Sequence, residues 1–170
     1  MSKVFLIGFM GVGKTTVGKR LAKLLDVPFM DTDHLIEATE NETIANLFAR
    51  KGEKIFREIE HKTLVNLRTI EHAVIATGGG LPCFHNNMDE LLAQGTVIYL
   101  SRPESEIFQR LKGARTQRPI IANKTDEEIK QIIHQLLSER EPYYTNANIT
   151  LDRNHQSPEE IVAFLNHAAK

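Results

Sequence analysis

The chain has 170 residues, 41% of them hydrophobic and 25% charged, with a formal net charge of −1. That length suits one domain around a single core. The near-neutral charge disfavours a general nucleic-acid binder, no apolar run is long enough to span a bilayer, and a single cysteine, Cys83, excludes an internal disulfide framework. The opening residues turn glycine-rich too soon for a secretion signal. A cytoplasmic protein with neither nucleic-acid nor membrane partners is therefore expected, and a monomer is the expected assembly state.

In chain order, Val4–Ile7 reads as a short apolar strand, followed by a helix over Thr15–Leu25 with Val17, Leu21, Leu24 and Leu25 on one face. Val27–Met30 is a second strand, and Asp33–Thr39 opens another helix. Asn41–Ala49 and Glu53–Thr69 look helical, with a break at Lys51-Gly52. A third strand, Ala73–Ala76, ends in Thr77-Gly78-Gly79-Gly80. A helix over Asn87–Ala93 then leads to a strand over Thr96–Leu100. Ser101-Arg-Pro-Glu104, Thr125-Asp-Glu-Glu128 and Ser157-Pro-Glu-Glu160 each fit a capping box at a helix start. Asn148–Leu151 is the expected last strand and Pro158–Ala168 the closing helix. Short strands alternating with helices predict a parallel sheet covered on both faces, with ligands beyond the carboxyl ends of the strands. The first three strands end at Gly8, Asp31 and Thr77, close to the unusual residues.

Gly8-Phe-Met-Gly-Val-Gly13-Lys14-Thr15 fits G-x-x-x-x-G-K-[ST] between a strand and a helix, as a phosphate-binding loop requires. Chance expectation for this pattern is on the order of 0.01 in a chain of this length, so a mere glycine-rich turn is a poor account. Glycines let successive N–H groups face phosphate oxygens, the helix start adds a positive dipole end, Lys14 adds a full charge, and the Thr15 hydroxyl is a Mg²⁺ ligand. A dinucleotide fingerprint fails, because Thr16 stands where the last glycine of G-x-G-x-x-G belongs. Switches and motors of this class take a metal-holding Asp from a later apolar strand. Here Ala73–Ala76 is followed by Thr77 and glycines instead, and the nearest strand-end acids are Asp31 and Asp33.

The other candidates each admit a plainer reading. Asp31 and Asp33 suit either a helix cap or a metal and acceptor pair. Arg57 and Glu60, three apart on a helix, read first as a surface ion pair and second as a guanidinium oriented to grip a substrate carboxylate or phosphate. Gly78-Gly79-Gly80 after a buried strand favours close approach of a ligand to backbone over a loose turn. Arg110, Lys112, Arg115, Arg118 and Lys124 form an acid-free run, either a solvated face or a basic loop that closes over phosphates and excludes water. Arg140 is read as a cation closing a helix. Cys83, His85 and the other histidines lack metal-ligand spacing.

Together "GFMGVGKTT", "DTD", "FREIE", "TGGG", "RTQRP" and "REPYY" stand in an order and spacing that resembles the shikimate kinases over essentially the whole chain. The resemblance implies transfer of the γ-phosphoryl of ATP to the 3-hydroxyl of shikimate, a step of aromatic amino-acid biosynthesis, with ATP and Mg²⁺ required. It implies an α/β fold of the P-loop nucleoside-monophosphate-kinase type: a five-stranded parallel sheet, helices on both faces, acceptor-binding helices over about 32–60 and a mobile lid over about 110–124. Residue by residue, it assigns ATP to Gly11, Val12, Gly13, Lys14, Thr15 and Thr16, and Mg²⁺ to Thr15 and, through water, Asp31. Asp33 becomes the base or orienter of the attacking hydroxyl, and Arg57 and Arg140 hold the acceptor carboxylate. Glu60 orients Arg57, and Gly78, Gly79 and Gly80 meet the ring hydroxyls. Arg118 reaches the phosphates, with Arg115 able to share that role, while Arg110 and Gln156 lie by the adenine. The alternatives are a gluconate or nucleoside-monophosphate kinase of the same fold, or a nucleotide-dependent switch.

Overall fold

The structure is a computed structural model that describes residues 3–113, 121 and 123–168, the last two by backbone alone. Five strands, β1 (Lys3–Ile7), β2 (Phe29–Asp31), β3 (Val74–Ala76), β4 (Gly95–Leu100) and β5 (Ile149–Leu151), pair in parallel in the order β2-β3-β1-β4-β5. Every residue of β1 and β3 is buried, as expected of central parallel strands covered on both faces. Val4, Phe5, Leu6 and Ile7 therefore form the middle of the core.

The helices are α1 (Lys14–Leu25), α2 (Thr32–Glu40), α3 (Ile44–Asn66), α4 (Asn87–Gln94), α5 (Glu104–Lys112), α6 (Asp126–Tyr144) and α7 (Pro158–Ala168). The chain leaves β1 in one direction to reach β2, then returns across the sheet through β3, β4 and β5. Right-handed crossovers therefore put α1 on one face and α2 to α6 on the other, and α7 packs beside α1. The change of direction lies between β1 and β3, where the phosphate loop and the triple glycine emerge side by side.

Local chemistry explains most boundaries. Gly52 has φ +78°, so α3 is two helical segments with a kink at the expected break. Thr125 forms the full capping box of α6, and Ser157 with Glu160 forms that of α7. The expected box at Ser101 is absent: α5 starts after Pro103 with no side-chain cap, because Ser101 extends the sheet by donating its N–H to the Leu151 carbonyl at 2.9 Å. The apolar face of α1 also shifts. Gly18, Leu21 and Ala22 are buried, whereas Leu24 is 50% exposed on the flank of that stripe. Gly18 fixes this orientation, since the Phe29 ring occupies the space of its missing side chain. Among the described residues no helix is long and apolar enough to cross a membrane.

Candidate active site

The phosphate loop wraps the start of α1. Gly8, Gly11 and Gly13 all have positive φ, at +137°, +80° and +105°, conformations that side chains resist. Gly13 occupies the N-cap without any side-chain bond to the helix, and the first turn carries no acid. The N–H groups at this helix start are thus left for an anion rather than capped. Lys14 is buried and donates to the Gly8 and Phe9 carbonyls at 2.8 Å each, which holds its ammonium inside the loop. A cavity of about 420 Å³ opens here, lined by Gly11, Gly13, Lys14, Thr15, Thr16, Asp31, Asp33, Thr77, Gly79 and Arg110, with Met10 beside them. Arg110, from the end of α5, donates to the Gly11 carbonyl at 3.1 Å and lies over the loop.

The carboxylates come from the junction of β2 and α2. Asp31 caps α2 by accepting the Asp33 N–H at 3.1 Å, and its other oxygen accepts the Thr15 hydroxyl at 2.9 Å. One side chain therefore both caps α2 and reaches the phosphate loop. Thr15 and Asp31 supply an oxygen pair that suits Mg²⁺, which takes few protein ligands and completes its shell with water and phosphate. Asp33 is pushed up from the usual carboxylate range by burial and by the charge of Asp31, with Lys14 opposing. That direction suits a group that accepts a proton.

A second group of candidate residues is assembled around the three glycines after β3. A Cβ on Gly78 would stand 2.7 Å from Asp33 Oδ1 and 3.1 Å from Glu60 Oε1. One on Gly79 would be 3.5 Å from Arg140 Nη1, and one on Gly80 only 2.7 Å from Arg57 Nη1. The glycines are thus the surface on which two carboxylates and two guanidinia converge. Arg57 and Glu60 are not an exposed pair: they are 8% and 2% exposed and bonded at 2.6 Å. Arg57 also reaches Glu53 at 3.1 Å and stacks 4.2 Å from the Phe84 ring centroid, so its fork is fixed from several sides. Burial pushes the Glu60 carboxyl up to about 7 despite Arg57. Arg140 does not close its helix, because α6 continues through Pro142 to Tyr144, and its guanidinium sits over the Phe9 ring beside Gly79.

Two expectations fare differently. Gln156 does not reach the phosphate cavity. It is 6% exposed, donates to the Ser101 and Leu151 carbonyls at 2.9 Å, and accepts from Arg102 at 3.1 Å. Its amide is held inside the fold by these bonds, and it lines a separate cavity with Thr16 and Val17. Arg115 and Arg118 lie outside the described residues, as does most of the expected lid.

Several contributors escaped the sequence reading. Thr32 is completely buried and accepts the Gly78 N–H at 2.9 Å. Arg102 donates to the Val12 carbonyl at 2.9 Å, tying the phosphate loop to the end of β4. Tyr144, also completely buried, donates its hydroxyl to the Gly79 carbonyl. Arg102 and Tyr144 stand in stretches that the sequence marks as helix-start and helix-end signals, which hid their tertiary partners.

A family model described as shikimate kinase matches residues 10–169. A shikimate kinase from Parabacteroides distasonis is 41% identical over 168 residues, covering 99% of this chain and 97% of its own. One from Bacteroides fragilis is 44% identical over 148 residues, 87% of this chain and 83% of its own. A crystal structure of shikimate kinase from Bacteroides thetaiotaomicron superposes with a TM-score of 0.89 at 38% identity, over 99% of this chain and 98% of that one. Shikimate kinase from Acinetobacter baumannii in complex with shikimate gives 0.87 at 34% identity, over 99% and 93% of the two chains. A gluconokinase from Sinorhizobium meliloti, at 16% identity and a TM-score of 0.62 over 99% of this chain and 93% of its own, shares the fold alone. The chain belongs to the shikimate kinase family.

Proposed function

We propose that the protein transfers the γ-phosphoryl group of ATP to the 3-hydroxyl of shikimate, and that the residues gathered around the triple glycine hold that acceptor. The observation that carries the assignment is the convergence of Asp33, Glu60, Arg140 and Arg57 on Gly78, Gly79 and Gly80, next to the phosphate cavity. Residues 11–16 cradle the triphosphate through backbone N–H groups, and Lys14 turns from the Gly8 and Phe9 carbonyls to the outer phosphates. Thr15 and Asp31 are the residues that would hold Mg²⁺, which supplies charge neutralisation to the phosphates when bound. Arg110 covers the nucleotide side of the loop.

On the acceptor side, Arg57 and Arg140 take the shikimate carboxylate and Glu60 keeps the Arg57 fork in register. Asp33 accepts the proton of the attacking hydroxyl as its oxygen bonds the γ-phosphorus and the bond to the ADP oxygen breaks. The Arg118 role on the transferring group rests on the sequence motif. Phosphoryl transfer demands mainly position and charge, and cations flank both reacting partners here. An uncharged sugar would forgo the charge-assisted bonds that Arg57 and Arg140 offer a carboxylate, which disfavours it as the acceptor. The chain acts as one kinase unit, with residues 32–60 on the acceptor side and 110–124 as a lid; a monomer in the cytoplasm, without nucleic-acid or membrane partners, completes the proposal.

The test is ADP release from MgATP with no acceptor, with shikimate, with gluconate and with nucleoside monophosphates. A large rise with shikimate alone is expected. A rise with a different acceptor would move Asp33, Arg57 and Arg140 to another substrate, and slow acceptor-independent release would point to a switch.

A further inference from the structure

The triple-glycine loop is held by groups that lie outside the acceptor contacts. The Gly78 carbonyl accepts from the Leu81 N–H at 3.2 Å, the Gly80 carbonyl from the Cys83 N–H at 3.0 Å, and the Gly79 carbonyl from the Tyr144 hydroxyl. The Gly78 N–H is taken by Thr32 at 2.9 Å. All three carbonyls therefore have partners, while the N–H groups of Gly79 and Gly80 have none among the described residues. The peptide bonds of the described residues are trans, so each N–H points opposite to the carbonyl of its own peptide group. A Gly79 carbonyl turned to Tyr144 consequently turns the Gly80 N–H the other way.

Tyr144 is built for this contact. Its ring is completely buried and packs 5.1 Å from the Tyr99 ring centroid, which leaves the hydroxyl as its single polar atom. Arg140, one turn earlier on α6, places its guanidinium adjacent to Gly79. We infer that Tyr144 is a positioning residue for the phosphoryl acceptor: its hydroxyl fixes the Gly79 carbonyl beside the Arg140 guanidinium, so that the free N–H groups and the carboxylate-binding cation meet the acceptor as one surface. Thr32 fixes the other end of the loop. This inference rests on the acceptor assignment given above.

Tyr144→Phe keeps the ring packing and deletes the hydroxyl. Steady-state kinetics with shikimate and MgATP varied separately should show a roughly tenfold higher KM for shikimate, the scale of one lost bond to a buried group. The KM for MgATP and the kcat at saturation should stay within about twofold, as for an interaction made equally before and during transfer. Thr32→Val, which frees the Gly78 N–H, should move the same constant in the same direction and gives a second reading should Tyr144→Phe not fold. An unchanged shikimate KM in the folded variants, or parallel losses for shikimate and MgATP, would overturn the inference. Wild-type protein without shikimate-dependent turnover would instead remove the acceptor assignment itself, and this inference with it.

Discussion

Gly80→Ala isolates the acceptor geometry from backbone strain. Gly80 has φ −89° and ψ −17°, a conformation that alanine adopts freely, so the added methyl tests space alone. That methyl would stand 2.7 Å from Arg57 Nη1, 2.9 Å from Nη2 and 3.0 Å from Cζ, against about 3.4 Å for ordinary contact. The guanidinium must therefore retreat by roughly 0.7 Å, the shortfall between 2.7 and 3.4 Å. It is not free to do so cheaply, since Glu60 holds it at 2.6 Å and the Phe84 ring lies 4.2 Å away. Displacements approaching 1 Å in a positioned group cost up to about a hundredfold in turnover efficiency. A loss of about tenfold to a hundredfold in kcat/KM for shikimate is expected, carried mainly by KM, with the MgATP constant unmoved. Initial rates at saturating MgATP, with melting temperature as a control on folding, measure it. A folded Gly80→Ala protein with wild-type shikimate KM would refute the placement of Arg57 against the acceptor.

Arg57→Lys keeps the charge but removes the fork, and should raise the shikimate KM by at least about tenfold while sparing MgATP binding; equal effects on both substrates would deny a specific carboxylate role. The raised Glu60 carboxyl, about 7 against an ordinary 4.5, means that the folded protein holds this proton more tightly than the unfolded chain. Stability from this group is therefore present below pH 4.5 and falls as pH rises to about 7, by at most about 3 kcal/mol. In Glu60→Gln that decline should vanish, so urea midpoints of the two proteins compared at pH 5 and pH 7.5 should not run parallel; parallel midpoints would deny the raised Glu60 carboxyl. Gly18→Ala would place a methyl 2.5 Å from Phe29 Cε2 and 3.2 Å from Leu6 Cδ1. Overpacking of that kind costs about 1–3 kcal/mol, read as a lower urea midpoint with little change in either KM, and an unaltered midpoint would mean the Phe29 ring moves freely.

Much of this protein was legible in one dimension. The phosphate loop is a contiguous pattern whose chemistry is largely backbone, so Gly8, Gly13, Lys14 and Thr15 could be placed before any fold was known. The alternation of short apolar runs with capped helices gave the parallel sheet, and Gly52 marked the kink in α3, because these are local rules of dihedral angle and period. Local rules also misled. Ser101 has capping spacing but is drawn into the ladder with β5, and Leu24 has helical spacing but falls beside the stripe that Gly18 selects.

Resemblance named the acceptor candidates, but only the tertiary structure shows them coming together. Spacing left Arg57 and Glu60 as a surface pair and Asp31 as a possible cap; burial of α3 against the triple glycine made the first a fixed guanidinium, and the approach of Thr15 gave the second a double duty. Arg140, Thr32, Arg102 and Tyr144 reach partners 46 to 90 residues away along the chain, or across the sheet from α6, where no periodicity points to them. Gln156, placed by the adenine on resemblance, has its amide bonded to the Ser101 and Leu151 carbonyls, partners that no local pattern shows. A phosphate loop closes on itself within one turn of backbone, whereas an acceptor pocket exists only once separate strands and helices have been brought to the same end of the sheet.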